Sequence, residues 1–211
     1  MDTPIICFEG PSGIGKTTMC QQLSKAFNIV PEVNLLFERP DNEPAYWYLD
    51  RQVERYDICN KSVKASILDG DVFQPIWYNW VCGYPKAFLP KAATHEFYKT
   101  KLSKGVIRFP DLYIIFQAEV EELRRRKAQD LTRQRRNFEK HLKIIEPLKK
   151  YYQFLDQETD LTIRFIDYSD FESAQEEVLV SIKAIKEQAI NQLETFHQIE
   201  DWLNAYVSNV P

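Results

Sequence analysis

Short apolar runs alternate along this chain with longer stretches in which apolar positions recur every three or four residues. Pro4 to Glu9 reads as a brief buried strand, and Thr17 to Phe27 as a helix carrying Met19, Leu23 and Phe27 on one side. Asn28-Ile29-Val30 gives a second strand, ended by Pro31-Glu32, and the turn-rich Phe37 to Pro44 reads as a loop. The helical pattern resumes from Ala45 to about Lys61. Val63 to Leu68 looks like a strand that stops at Asp69-Gly70-Asp71. Phe73 to Lys104 is rich in aromatics and broken by Pro75, Pro85 and Pro90, which predicts short helices and loops rather than one long element. Leu112 to Phe116 is the clearest buried strand. A charged helix follows from Glu119 to about Gln129, and helical character returns from Arg136 to Leu155 across Pro147, a residue that either kinks the helix or marks a break. Leu161 to Ile166 alternates like a last strand, and Ser169-Asp170-Phe171-Glu172 fits a capping box opening another helix. Beyond it, Ile185, Ala189, Leu193, Phe196, Ile199, Leu203 and Tyr206 recur at helical spacing. Five strands alternating with helices predict a parallel sheet covered on both faces, with ligands gathered at the strands' carboxyl ends.

One stretch changes this picture from architecture to chemistry. Gly10-Pro11-Ser12-Gly13-Ile14-Gly15-Lys16-Thr17, followed by Thr18, fits G-x-x-x-x-G-K-[ST] and sits between a predicted strand and a predicted helix. Glycines allow the backbone to curl with its N–H groups turned inward around a phosphate chain, and the positive end of the next helix adds to that field. Lys16 is expected to reach the β- and γ-phosphates, and the Thr17 hydroxyl to ligate Mg²⁺. Glu32, and Asp69 with Asp71, fall at neighbouring strand ends. Asp69 is placed to hold Mg²⁺ or orient an attacking hydroxyl, and Glu32 to take a proton from an acceptor. Glu9, at the entry to the loop, suits a role in loop geometry as well as a catalytic one.

Composition sets limits on partners. With 211 residues, 44% hydrophobic and 27% charged, the chain suits one soluble domain with an appendage. A net charge of -4 argues against binding a nucleic-acid polymer. No apolar run is long enough for a bilayer, so no membrane partner is expected. The four cysteines (Cys7, Cys20, Cys59, Cys82) lack metal-type spacing and read as buried thiols in a reducing, cytoplasmic compartment. Against the overall acidity, residues 124–136 hold seven basic residues and one acid. Arg133, Arg135 and Arg136 there suit a mobile lid closing over a transferred phosphoryl group, Arg126 and Lys127 assist one turn earlier, and Arg124 and Arg125 read as surface. Between the second and fourth strands, Trp47, Tyr56, Trp77 and Tyr78 offer faces for a planar ring, with Arg51, Gln52 and Arg55 as polar contacts. The histidines are scattered and none is assigned a role.

The layout resembles the P-loop nucleoside and nucleotide kinases, nearest the deoxynucleoside kinase and thymidylate kinase group, over roughly residues 4–170. The resemblance rests on residues 8–18, on the 111–117 strand with Glu121-Glu122-Leu123-Arg124-Arg125-Arg126 after it, and on Trp47-Tyr48-Leu49-Asp50-Arg51-Gln52. It implies a three-layer α/β P-loop NTPase fold with a five-stranded parallel sheet, and transfer of the γ-phosphoryl group of ATP, with Mg²⁺, to a nucleoside or nucleoside monophosphate. It also implies an adenine site near Asp167-Tyr168-Ser169. The sequence departs from the group in two places. The Glu-Pro pair after the second strand is here Pro31-Glu32, and the acid after the third strand, Asp69, is followed by glycine instead of arginine.

The expected organisation is a kinase domain over 1–170 with an arginine-rich lid around 124–136. A C-terminal helical extension over 171–211 either covers its own domain or pairs with a second copy in a homodimer. A kinase of another hydroxylated small molecule, such as an antibiotic, is the alternative, and a nucleotide-gated binding module without transfer is the second. A GTPase switch is disfavoured, since no Asn-Lys-x-Asp run is present.

Overall fold

The computed structural model describes residues 3–81, 89–129, 138–186 and 189–208. Its centre is strand β1 (Ile5–Glu9), buried along its whole length. β1 pairs in parallel with β3 (Ser66–Asp69) on one side and β4 (Leu112–Gln117) on the other. Beyond these lie β2 (Asn28–Val30) and β5 (Ile163–Asp167), giving a five-stranded parallel sheet in the order β2-β3-β1-β4-β5. A parallel sheet covered on both faces leaves no solvent side, so the middles of its inner strands are apolar and polar residues fall at their ends.

The period-two alternation of a strand divides these side chains between two cores. Ile5, Cys7, Leu68, Tyr113 and Ile115 face one layer. That layer is built from α3 (Trp47–Asn60), α4 (Gln74–Val81), α5 (Lys91–Ser103), α8 (Ile145–Glu158) and α10 (Gln192–Ser208). Ile6, Phe8, Ile67, Ile114 and Phe116 face the other layer, where α1 (Lys16–Leu23), α6 (Val120–Gln129), α7 (Phe138–Leu142) and α9 (Phe171–Lys183) contribute Met19, Leu123, Phe138 and Val178. A short helix, α2 (Val33–Leu36), follows β2.

Local chemistry moves several boundaries from where the sequence pattern put them. The strand expected from Val63 begins at Ser66, because the Ser62 hydroxyl donates to the Lys64 carbonyl (2.8 Å) and accepts from the Lys64 N–H (3.0 Å). That turn leaves Val63 exposed. The cap of α9 is shifted by one residue. Asp170, not Ser169, accepts from the first-turn N–H of Ser173 (2.8 Å). The helical stretch around Pro147 is divided into α7 and α8, with the break before Ile145 and not at the proline. Pro147 is the third residue of α8, where an N–H would have no intrahelical acceptor to lose. The C-terminal stretch likewise forms two helices, α9 on β5 and α10 on the opposite core.

Phe196, Ile199 and Leu203 of α10 are fully buried against the chain's own α4 and α5. His95 ties this layer together: its Nδ1 faces Glu200 Oε1 at 3.0 Å and its Nε2 faces the Ile76 carbonyl at 2.9 Å. Cys7, Cys20 and Cys59 are buried free thiols, raised by desolvation, while Cys82 lies outside the described residues. Among the described residues no helix is long and apolar enough to cross a membrane.

Candidate active site

A cleft of about 710 Å³ opens at the carboxyl ends of β1 and β3, and residues 9–18 line one side of it. The loop's curl depends on glycine at two points. Gly10 has φ +145°, and a β-carbon there would lie 2.6 Å from the Phe116 carbonyl oxygen. Gly15 has φ +113°, and a β-carbon there would meet the Tyr168 ring at 2.6 Å. α1 starts at once after Gly15, so its first-turn amides, which have no intrahelical acceptor, stand at the cleft. Lys16 Nζ donates to the Gly10 carbonyl (2.7 Å), which bends the ammonium back over the loop. The Thr17 hydroxyl donates to Asp69 Oδ2 (2.8 Å), while the buried Asp69 Oδ1 has no hydrogen-bond partner. A strand-end carboxylate with one oxygen on the P-loop hydroxyl and one orphaned oxygen is a donor set that fits Mg²⁺ together with phosphate oxygens.

On the far side of the loop, Glu9 joins two strand ends. Its carboxylate accepts from the Gly10 N–H (3.1 Å) and the Asp71 N–H (2.8 Å). Burial pushes this carboxyl upward, and the Lys16 charge and the two backbone donors oppose the shift. Asp71 is buried too. Desolvation raises it to about 7 although the Phe73 N–H (2.9 Å) and the Tyr113 and Tyr152 hydroxyls (3.4 and 3.3 Å) donate to it. Arg55 reaches this region from α3 with only 1% of its surface exposed. It donates from Nε to the Pro31 carbonyl (2.7 Å) and from one terminal nitrogen to the carbonyls of Asp69 (2.8 Å) and Gly70 (2.9 Å). Its other terminal nitrogen donates to Gln52 Oε1 (2.6 Å). One guanidinium thus clamps the ends of β2 and β3 together.

A second arginine closes the other end. Arg126 of α6 donates to the carbonyls of Ile14 (2.6 Å), Tyr168 and Ser169 (3.3 Å), and lies 5.1 Å from the Tyr168 ring centre. The Tyr168 hydroxyl donates to the Gly15 carbonyl (3.3 Å), and burial lifts that phenol to about 12. The phosphate loop is therefore tied directly to the turn after β5. There Asp167 is exposed and its Oδ1 accepts from the Ser169 N–H (2.8 Å).

The residues singled out from sequence divide into three groups. The loop from Gly10 to Thr18, Glu32, Gln52 and Tyr78 line one cleft, with Asp69 bonded beneath it. Trp47, Arg51, Tyr56 and Trp77 do not line it. Arg51 pairs with Glu54 and lies over the rings of Phe37 and Trp47, whereas Tyr56 and Trp77 are core, the latter stacked 4.6 Å from Tyr151. Arg133, Arg135 and Arg136 lie outside the described residues. Of their neighbours, Arg124 and Arg125 pair at the surface with Glu139 and Glu122, and Lys127 sits over the Phe138 ring. The cleft also takes in Asn34, Gln74, Ile144 and Leu148, which sequence reasoning passed over. The four-residue spacing of Ile144 and Leu148 was the one available signal.

No family model matches the chain, and no curated protein matches its sequence. Solved structures do match. The deoxyadenosine kinase of M. mycoides with bound dATP aligns with a TM-score of 0.57 and 14% identity, covering 85% of this chain and 100% of that one. The same enzyme with dCMP and a flexible dCDP gives 0.55 and 16%, covering 86% and 100%. Thymidylate kinase from Candida albicans gives 0.58 and 16%, covering 90% and 97%. At these identities the likeness is one of fold. The chain has the three-layer α/β fold of P-loop nucleoside and nucleotide kinases, as the sequence resemblance implied.

Proposed function

We propose that this chain is an ATP-dependent phosphotransferase, moving the γ-phosphoryl group to a nucleoside or nucleoside monophosphate. The observation that carries this reading is the sharing of one cleft. A glycine loop with Lys16 and Thr17 faces Glu32, Gln52 and Tyr78 across it, so a triphosphate on one wall meets an acceptor on the other. Lys16 offsets the charge on the β- and γ-phosphates, and the loop amides bind the remaining phosphate oxygens. Thr17 and Asp69 would hold Mg²⁺, which when bound neutralises phosphate charge. Glu32 is the N-cap of α2 and solvent-accessible at the cleft, where it accepts a proton from the acceptor hydroxyl. Arg126 steadies the loop against the turn after β5, which the resemblance gives as the adenine site, with Asp167 beside it. Arg133, Arg135 and Arg136 close over the transferred group.

The test is incubation with labelled ATP, Mg²⁺ and a panel of nucleosides, monophosphates and hydroxylated antibiotics. Labelled nucleoside or nucleotide product is expected. Lys16→Ala should lower turnover by about three orders of magnitude with the melting temperature unchanged. An absence of any labelled acceptor defeats the reading.

A further inference from the structure

α10 has two faces rich in large apolar groups, and the chain's own core accounts for one of them. Phe196, Ile199 and Leu203 are buried against α4 and α5. Trp202 and Tyr206 fall on a different side of the helix and stack on each other, with ring centres 4.9 Å apart. Trp202 also stacks on Phe154 of α8, at 5.0 Å and with 14° between the ring planes. Along this ladder runs an open groove of about 990 Å³ between α8 and α10. Lys150, Phe154 and Glu158 line it from α8, and Gln198, Trp202 and Tyr206 from α10. Lys150 and Glu158 are exposed, and Trp202 and Tyr206 are partly so. Tryptophan and tyrosine are the anchors that protein interfaces favour, and here both stand at a surface away from the cleft of the phosphate loop.

The order of groups along the groove indicates what covers it. Both triplets have the spacing i, i+4, i+8, which keeps each on one helix face over about 12 Å. On α8 a cation and an anion lie at equal distances either side of Phe154. On α10 a carboxamide and a phenol lie at equal distances either side of Trp202. The two midpoints are the stacked pair itself. A two-fold axis through that pair, running across the two helices, lays each helix antiparallel on its own copy. Lys150 then meets the partner's Glu158, and Gln198 meets the partner's Tyr206, each twice per dimer. A surface that complements itself under such a rotation is what an isologous contact requires.

We propose that a second copy of this chain docks in this groove, with α8 and α10 of one protomer antiparallel to those of its partner. The C-terminal helix then does both things expected of the extension: one face covers its own domain and the other pairs with a second copy. α8 joins the interface to the cleft, since Ile144 and Leu148 at its start line the cleft and Lys150 to Glu158 line the groove.

Sedimentation equilibrium of the full chain is the test, with thermal melting by circular dichroism to confirm that each variant folds. Wild type is expected to dimerise with a micromolar dissociation constant, the weak end of the range for a specific interface. Lys150→Glu and Glu158→Lys each set like charges opposite one another twice, and each should weaken the dimer roughly ten-fold or more. Combining the two exchanges restores both pairs and should return the dissociation constant to within about three-fold of wild type. Ala205→Arg, at an exposed position of the groove where arginine suits a helix, fills the space and should leave a monomer. A wild-type chain still monomeric at about 100 μM overturns the inference, whatever else the groove takes up. So does a dimer that survives Ala205→Arg, or one that the combined exchange fails to restore, since its contact then lies on another face.

Discussion

Asp71→Asn removes a carboxyl that burial holds protonated to about pH 7, against 3.8 for an ordinary aspartate. Between those limits the folded chain binds this proton more tightly than the unfolded chain does. The favourable contribution is therefore complete below about pH 4 and is lost as pH rises through the folded-state value near 7. A gap of about three units at 1.36 kcal/mol each corresponds to about 4 kcal/mol of stability lost across the window. The asparagine Oδ1 keeps an acceptor for the Phe73 N–H and the Tyr113 hydroxyl, its Nδ2 donates to the Tyr152 hydroxyl where the carboxyl accepted from it, and the carboxamide cannot ionise. Groups common to both proteins and remote from Asp71 cancel in the comparison. Urea unfolding followed by far-ultraviolet circular dichroism from pH 4.5 to 8 measures the difference. Wild type should lose stability relative to Asp71→Asn as pH rises, with the loss flattening as pH approaches 8. Parallel curves for the two proteins would refute the assignment of a buried neutral acid.

Two further outcomes follow from the clamps around the loop. Gly15→Ala puts a methyl group 2.6 Å from the Tyr168 ring at φ +113°, and should cost about 1–3 kcal/mol. Its readout is a smaller ATP-induced rise in melting temperature, and an unchanged rise counts against the close packing of loop and ring. Arg55→Met leaves the Pro31, Asp69 and Gly70 carbonyls without their donor and should destabilise the fold by about 3–5 kcal/mol. A loss below about 1 kcal/mol in chemical denaturation would show that water replaces the guanidinium there.

Much of this architecture is written in local pattern. β1 and β4 announce themselves because a strand buried on both faces carries an unbroken apolar run, and the glycines of the loop after β1 because their backbone conformation and close contacts leave no alternative. Errors of one to three residues arose where a polar side chain captured the backbone locally, as Ser62 does before β3 and Asp170 does before α9.

What the chain order could not convey is which distant groups share a space. Trp77 and Tyr78 are adjacent aromatics of α4, indistinguishable by type. Successive residues of a helix point about 100° apart, so one is sealed in the core and the other lines the cleft. Arg55 looked like one of three polar residues on α3. Its neighbours Pro31, Asp69 and Gly70 come from two strand ends that meet only because β3 inserts between β2 and β1. Asp71 has the look of a turn aspartate in Asp-Gly-Asp. It is buried because α8 brings Tyr152 over it, and that packing, not its place in the sequence, sets its proton affinity. The sequence alone determined the sheet and the glycine loop, since each is a local demand on residue type. The tertiary structure alone decided which charged groups share the cleft, because charge in a cleft is a sum over side chains that only folding brings together.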